Sequence, residues 1–155
     1  MDINPEKQNI DTVFNTTPYL IDFYQRDYKW TESHVKSLLE DIFYRFDQDY
    51  SANKDLDPSM NAVNTKYSRY YLSTYVTNIS EGHTYIVDGQ QRLTTISLIL
   101  ICLYRMAEKA GSELKGWLSQ KIMNNVGYEK AFFIGHAKRK KILEVLYEGK
   151  SFNVE

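Results

Sequence analysis

Tyr85-Ile86-Val87-Asp88-Gly89-Gln90-Gln91-Arg92-Leu93-Thr94-Thr95 is the stretch on which the fold turns. A short β-branched run ends in an acid and a glycine. Two glutamines, an arginine and two threonines follow, and a long apolar run begins at Ile96. That order predicts a strand, a tight turn and the first turn of a helix. Amide N–H groups at a helix start attract anions, and a guanidinium beside them adds to the attraction. Polar groups crowded between two apolar segments are costly to bury unless they hold something. A phosphate suits them.

Upstream, residues 70–77 and 84–87 read as two strands, joined by a hairpin loop over 78–83 that contains Gly82. Downstream, a central helix is expected over residues 93–110, ended by Gly111. It is apolar nearly all round, which predicts enclosure by other elements, with Cys102 behaving as a small hydrophobe. Ser112 is placed to cap a further helix carrying Leu114, Trp117, Leu118 and Ile122. A last amphipathic helix over residues 138–147 is expected to bury Ile142, Leu143 and Leu146.

Toward the N-terminus, Ile10, Val13 and Phe14 suggest a short helix, stopped before Pro18. Residues 19–24 alternate as a strand, and a polar loop follows. Thr31 is a candidate N-cap for the best amphipathic helix of the chain, marked by Val35, Leu38, Leu39, Ile42, Phe43 and Phe46. Residues 47–66, rich in Asp, Asn and Ser, read as a surface loop.

At 155 residues with 43% hydrophobic and 25% charged side chains, the chain suits a soluble globular domain. A net charge of −1 excludes a chain that is basic throughout, so any nucleic-acid contact must be local. One cysteine excludes an internal disulfide and fits a reducing cytoplasm. The N-terminus lacks a signal-peptide core, and the apolar run 96–106, broken by Ser97 and Arg105, is too short to cross a bilayer. No membrane partner is expected. Thirteen tyrosines are present, clustered at Tyr67, Tyr70, Tyr71, Tyr75 and Tyr85. They suit a sheet face or, alternatively, a platform for stacking bases.

Three segments resemble one bacterial family. Tyr24-Gln25-Arg26-Asp27-Tyr28-Lys29-Trp30 is similar to a Y-Q-R-x-Y-x-W motif, residues 38–42 to an L-L-x-D-I helix, and residues 86–100 to I-x-D-G-Q-Q-R-L-T-T-L-x-L-L-L. These are marks of the N-terminal domain of GmrSD-type, modification-dependent (type IV) restriction enzymes. The chain departs from the pattern at Ile21-Asp22, where the family has Ile-Pro. The resemblance implies an α+β fold similar to ParB and sulfiredoxin: a small mixed sheet with surrounding helices about a phosphate site. It covers residues 10–110, so residues 1–110 are expected to form the nucleotide-binding domain. Residues 111–155 would be a helical extension, the start of a longer protein. The family continues into a nuclease domain with a His-Asn-His metal site. His34, His83 and His136 are scattered and do not form that motif, so a nuclease or helical domain in the same or a neighbouring chain is the expected partner.

The candidate chemistry centres on the quoted turn. Asp88, at the strand end, can hold Mg²⁺ through water or polarise an attacking water; the alternative is a helix-capping aspartate. Gly89 lets backbone approach a phosphate, or merely makes the turn. Gln90 and Gln91 can orient water or read a base edge. Arg92 offers a planar fork to an anion, or a salt bridge to Asp88. Thr94 and Thr95 can donate to phosphate or bond back to their own helix. The resemblance adds Gln25 and Arg26 as a second arm of the same pocket. Tyr28 and Trp30 are wall or core residues, with base stacking as the lesser reading. Lys138-Arg139-Lys140-Lys141 is a solvated helix face or a nucleic-acid backbone contact. The resemblance implies an NTP-hydrolysing domain with Mg²⁺ and an NTP, serving a restriction system on modified DNA. A sensor or scaffold that binds nucleotide or DNA without turnover is the alternative, and direct nucleolysis ranks last. No Walker-type glycine loop is present.

Overall fold

The computed structural model describes residues 4–15, 17–22, 25, 27–57, 59–126, 129–135 and 139–150. In chain order the elements are α1 (Ile10–Val13), β1 (Tyr19–Leu20), α2 (Glu32–Asn53), α3 (Met60–Lys66), β2 (Val76–Ser80), β3 (His83–Asp88), α4 (Gln90–Lys109), α5 (Leu114–Ile122), β4 (Met123–Val126), β5 (Glu129–Phe132), β6 (Ile134–Gly135) and α6 (Lys140–Glu148). The architecture is mixed α+β, as the sequence indicates. Two compact units divide it: Met1–Asp27 with Tyr75–Glu155, and Tyr28–Thr74.

The first unit is built on a four-stranded sheet of order β2-β3-β1-β6. β2 and β3 run antiparallel, while β1 lies parallel to both β3 and β6. The β2–β3 turn is only two residues, Glu81 and Gly82, with φ of +51° and +77°. Positive φ at both positions matches the right-handed twist of the strands. The hairpin is therefore tighter than the loop expected over 78–83. Asn78, Ile79 and Ser80 pair with Tyr85, Thr84 and His83, so backbone groups otherwise left to a loop join the ladder. β2 begins at Val76 rather than at Tyr70. β1 is shorter than the strand expected over 19–24: the Gln25 N–H turns back to the Asp22 carbonyl at 3.1 Å.

The tyrosines do not line one sheet face. Of the five clustered in sequence, only Tyr85 lies in a strand, and Tyr67, Tyr70 and Tyr71 belong to the second unit. Tyr75 packs edge-on against Tyr19 at 5.9 Å. Burial and the Tyr19 hydroxyl push the Tyr75 phenol above its ordinary pKa.

The core of this unit joins the sheet to α4 and α5. Ile86, Ile122 and Phe14 are fully buried, and Leu93, Leu100, Ile101 and Leu118 are buried as well. Phe14 meets Phe133 edge to face at 6.3 Å. The Phe133 N–H bonds to the Ile122 carbonyl and its own carbonyl accepts the Tyr19 N–H, so one aromatic pair sits where helix and sheet join. Buried Lys121 ties α5 to α1, its Nζ 2.5 Å from Asp11 Oδ1 and 3.1 Å from the Asp11 carbonyl. Strands β4 to β6 fill a stretch that periodicity alone left unread.

α4 is enclosed on one side only. Cys102 is exposed, as are Leu103 and Met106, so full enclosure is not realised. α5 and α6 cover the opposite face, where the Tyr104 and Tyr147 rings stack at 4.6 Å. α6 buries Leu143 but leaves Ile142 and Leu146 each 40% exposed. Of the three apolar residues expected to be covered, only the middle one turns fully inward.

α6 ends at Gly149, with φ +69° and its N–H on the Leu146 and Val145 carbonyls. A Cβ there would run into the Arg105 guanidinium. Gly149→Ala is expected to destabilise the unit by about 1–2 kcal/mol, chiefly through left-handed backbone strain. That is a fall of roughly 2–8 °C in Tm by calorimetry.

The second unit is a helical pair. Thr31 starts α2 as expected, its N–H on His34 Nδ1 at 3.2 Å. α2 then continues to Asn53, and α3 follows, where composition suggested a loop over 47–66. Local bonds explain the difference. Phe46 and Tyr50 stack one turn apart at 5.6 Å, and the Asn53 amide caps the Asp49 carbonyl at 2.7 Å. Ser59 caps α3 by accepting the Ala62 N–H at 3.1 Å.

Candidate functional site

The quoted segment forms the end of β3, one turn residue and the start of α4. Alternation from buried Ile86 would carry Asp88 to the inner face. The pairing instead slips: Asp88 faces Val76 and Ile86 faces Thr77, leaving Val87 as the extra residue of a β-bulge. Asp88 emerges exposed. No ion pair or hydrogen bond among the described residues engages its carboxylate, and none joins it to Arg92.

Gly89 is the N-cap of α4 and is left-handed, with φ +85°. Glycine brings no side chain of its own to cap the helix. The aspartate-cap alternative therefore fails, because the capping position falls on glycine. The first helical bond runs from the Leu93 N–H to the Gly89 carbonyl at 3.1 Å. The N–H groups before it, in the first turn of a twenty-residue helix, carry the positive end of the dipole.

Two loop contacts assemble the corner. Gln25 Nε2 donates to the Ile86 carbonyl, and Gln91 Nε2 donates to the Asp27 carbonyl at 3.1 Å. The Y-Q-R segment thus meets the strand–helix turn twice. Gln90 and Gln91 are buried, and Arg92 is half-buried beside them. The Gln25 Oε1 atom is buried without a hydrogen-bond partner. The two threonines divide. Thr95 donates back to the Gln91 carbonyl at 2.9 Å, whereas the buried Thr94 hydroxyl has no partner.

Arg26 and Lys138 lie outside the described residues. Tyr28 and Trp30 belong to the second unit, where the Trp30 ring stacks on His34 at 5.9 Å. Arg139 precedes α6, and Lys140 and Lys141 are the exposed first residues of that helix. Sequence reasoning missed the bulge at Val87 and the buried hydroxyl of Ser97. An acid at the end of a β-branched run was the available hint for the first. A serine in an otherwise apolar helix was the hint for the second.

Among the described residues no group of three His, Cys, Asp or Glu side chains gathers to hold a metal. The Asp88 carboxylate stands open at the corner, a donor that fits an ion such as Mg²⁺ held mainly by phosphate oxygens and water. No described helix is long and apolar enough to cross a membrane.

The family model described as GmrSD restriction endonuclease, N-terminal domain, matches residues 6–153. No curated protein matches the chain significantly.

Proposed function

We propose, for a chain that belongs to the family of GmrSD restriction endonuclease N-terminal domains and so to a restriction or phage-defence protein, that it binds and hydrolyses a nucleoside triphosphate. The site is the β3–α4 corner. The observation that carries the reading is the start of α4, whose N-cap is a left-handed glycine with no capping side chain of its own, beside half-buried Arg92. Such a turn attracts phosphate through its N–H groups and its dipole. Arg92, with Arg26 as a second arm, clamps the phosphate oxygens in a planar fork. Asp88, freed by the bulge, polarises the attacking water, and Gln90 helps to orient it. When bound, Mg²⁺ would neutralise charge on the phosphates beside Asp88. Modified DNA is the expected target of the whole system, with Lys140 and Lys141 as candidate backbone contacts. Strand cleavage falls to a nuclease domain in the same or a neighbouring chain.

A second reading is binding without turnover. Gln91 favours it, because its amide N–H is spent on the Asp27 carbonyl and does not point a nucleophile. The test is phosphate release with Mg²⁺ and each of ATP, GTP and CTP, with and without DNA. Release above the no-protein rate for at least one nucleotide is expected. Tight binding by calorimetry with no release would establish the passive reading, and no binding at all would end both.

A further inference from the structure

Below the first turn of α4, two hydroxyls are shut away. Thr94 is 7% exposed and Ser97 2% exposed, and neither Oγ atom has a hydrogen-bond partner. Buried serine and threonine in helices usually donate to the carbonyl one turn back, as Thr95 does to Gln91. Leaving a hydroxyl unsatisfied costs about 1–3 kcal/mol, and alanine at either position would avoid it. Ser97 also stands where the family pattern leaves the residue open, so the common motif does not require it.

Helix geometry sets the direction. Residues 90, 94 and 97 share one face, and helical side chains lean toward the N-terminus. Both hydroxyls therefore tilt toward the Gly89 turn, along a polar stripe about 10 Å long. Gln25 Oε1, a further acceptor without a partner, is held near the mouth of that corner by its amide bond to Ile86. A hydroxyl donates once and accepts twice. That chemistry matches a group that both donates and accepts, as a sugar hydroxyl or a base edge does, more fully than a phosphate oxygen, which only accepts.

We propose that Thr94 and Ser97 receive the uncharged hydrogen-bonding part of the nucleotide, a sugar hydroxyl or a base edge, while the turn above them holds the phosphates. The inference rests on the phosphate reading of the corner. It makes Ser97 a specificity residue of this chain in particular.

The test is calorimetry on wild type, Ser97→Ala and Thr94→Val, all with Mg²⁺, using inorganic triphosphate, each of the four NTPs, and the 2′-deoxy form of the NTP that wild type prefers. Ser97→Ala should weaken the NTP about fivefold or more and leave triphosphate affinity unchanged. Its ligand-free Tm should hold or rise, since an unsatisfied hydroxyl is removed. A merely structural serine would lower Tm and move both probes together. If wild type but not Ser97→Ala prefers the ribose form, the contact is to sugar. If the variant instead levels affinity among the four bases, the contact is to a base edge. Equal NTP affinity in wild type and both variants overturns the inference while leaving the phosphate reading intact. Failure of wild type to bind even triphosphate overturns both.

Discussion

Arg92→Ala is expected to lower nucleotide affinity at least 100-fold and to leave the fold standing. A guanidinium fork makes two charge-assisted bonds to a phosphate, each worth about 1.5–3 kcal/mol. Losing both removes roughly two or more powers of ten in affinity. Arg92 is half-buried at the positive end of α4, a position that the helix dipole disfavours for a cation unless an anion lies close. Melting temperature should change by only a few degrees, because a half-buried side chain carries little of the core. Arg92→Lys keeps the charge but loses the planar fork, so its affinity should fall between the two. Calorimetric titration with the best NTP plus Mg²⁺ measures this directly. Wild-type affinity in Arg92→Ala would remove the phosphate site from this corner.

The second large effect is on stability. Phe14 is fully buried, and its ring stands edge-on to Phe133. Phe14→Ala leaves a cavity that the surrounding strands cannot close, at a cost of about 3–5 kcal/mol. A domain of this size has a net stability of only about 5–15 kcal/mol, so Tm should drop by roughly 10 °C or more. The position matters because Phe133 is bonded through its backbone to both Ile122 and Tyr19. The loss therefore falls on the seam between α5 and the sheet. An unfolding free energy from urea titration within about 1 kcal/mol of wild type would mean that the pair contributes little.

Much of the candidate site was legible in residue order. Val87-Asp88-Gly89 followed by Gln90-Gln91-Arg92 announced a strand, a turn and a helix start, and α4 begins at Gln90. Composition misled at residues 47–66. Asp and Asn are common in loops, yet here Asn53 and Asp49 bond within a helical turn and continue α2. The tyrosines misled in the same way, because strand preference depends on context, and Tyr67, Tyr70 and Tyr71 lie in a unit whose described residues form no strand.

Local pattern alone determined the elements that depend on near neighbours: the start at Thr31, the glycine stop at Gly111 and the strand–turn–helix around Gly89. Each is decided by bonds spanning a few residues, so composition and spacing suffice to find it. Only the tertiary structure decided that Val87 bulges and turns Asp88 outward, that Gln25 and Asp27 reach the far end of β3 and the start of α4, and that the Thr94 and Ser97 hydroxyls lie buried without a partner. Those outcomes depend on strand pairing and packing between residues distant in the chain. No local rule encodes which of them meet.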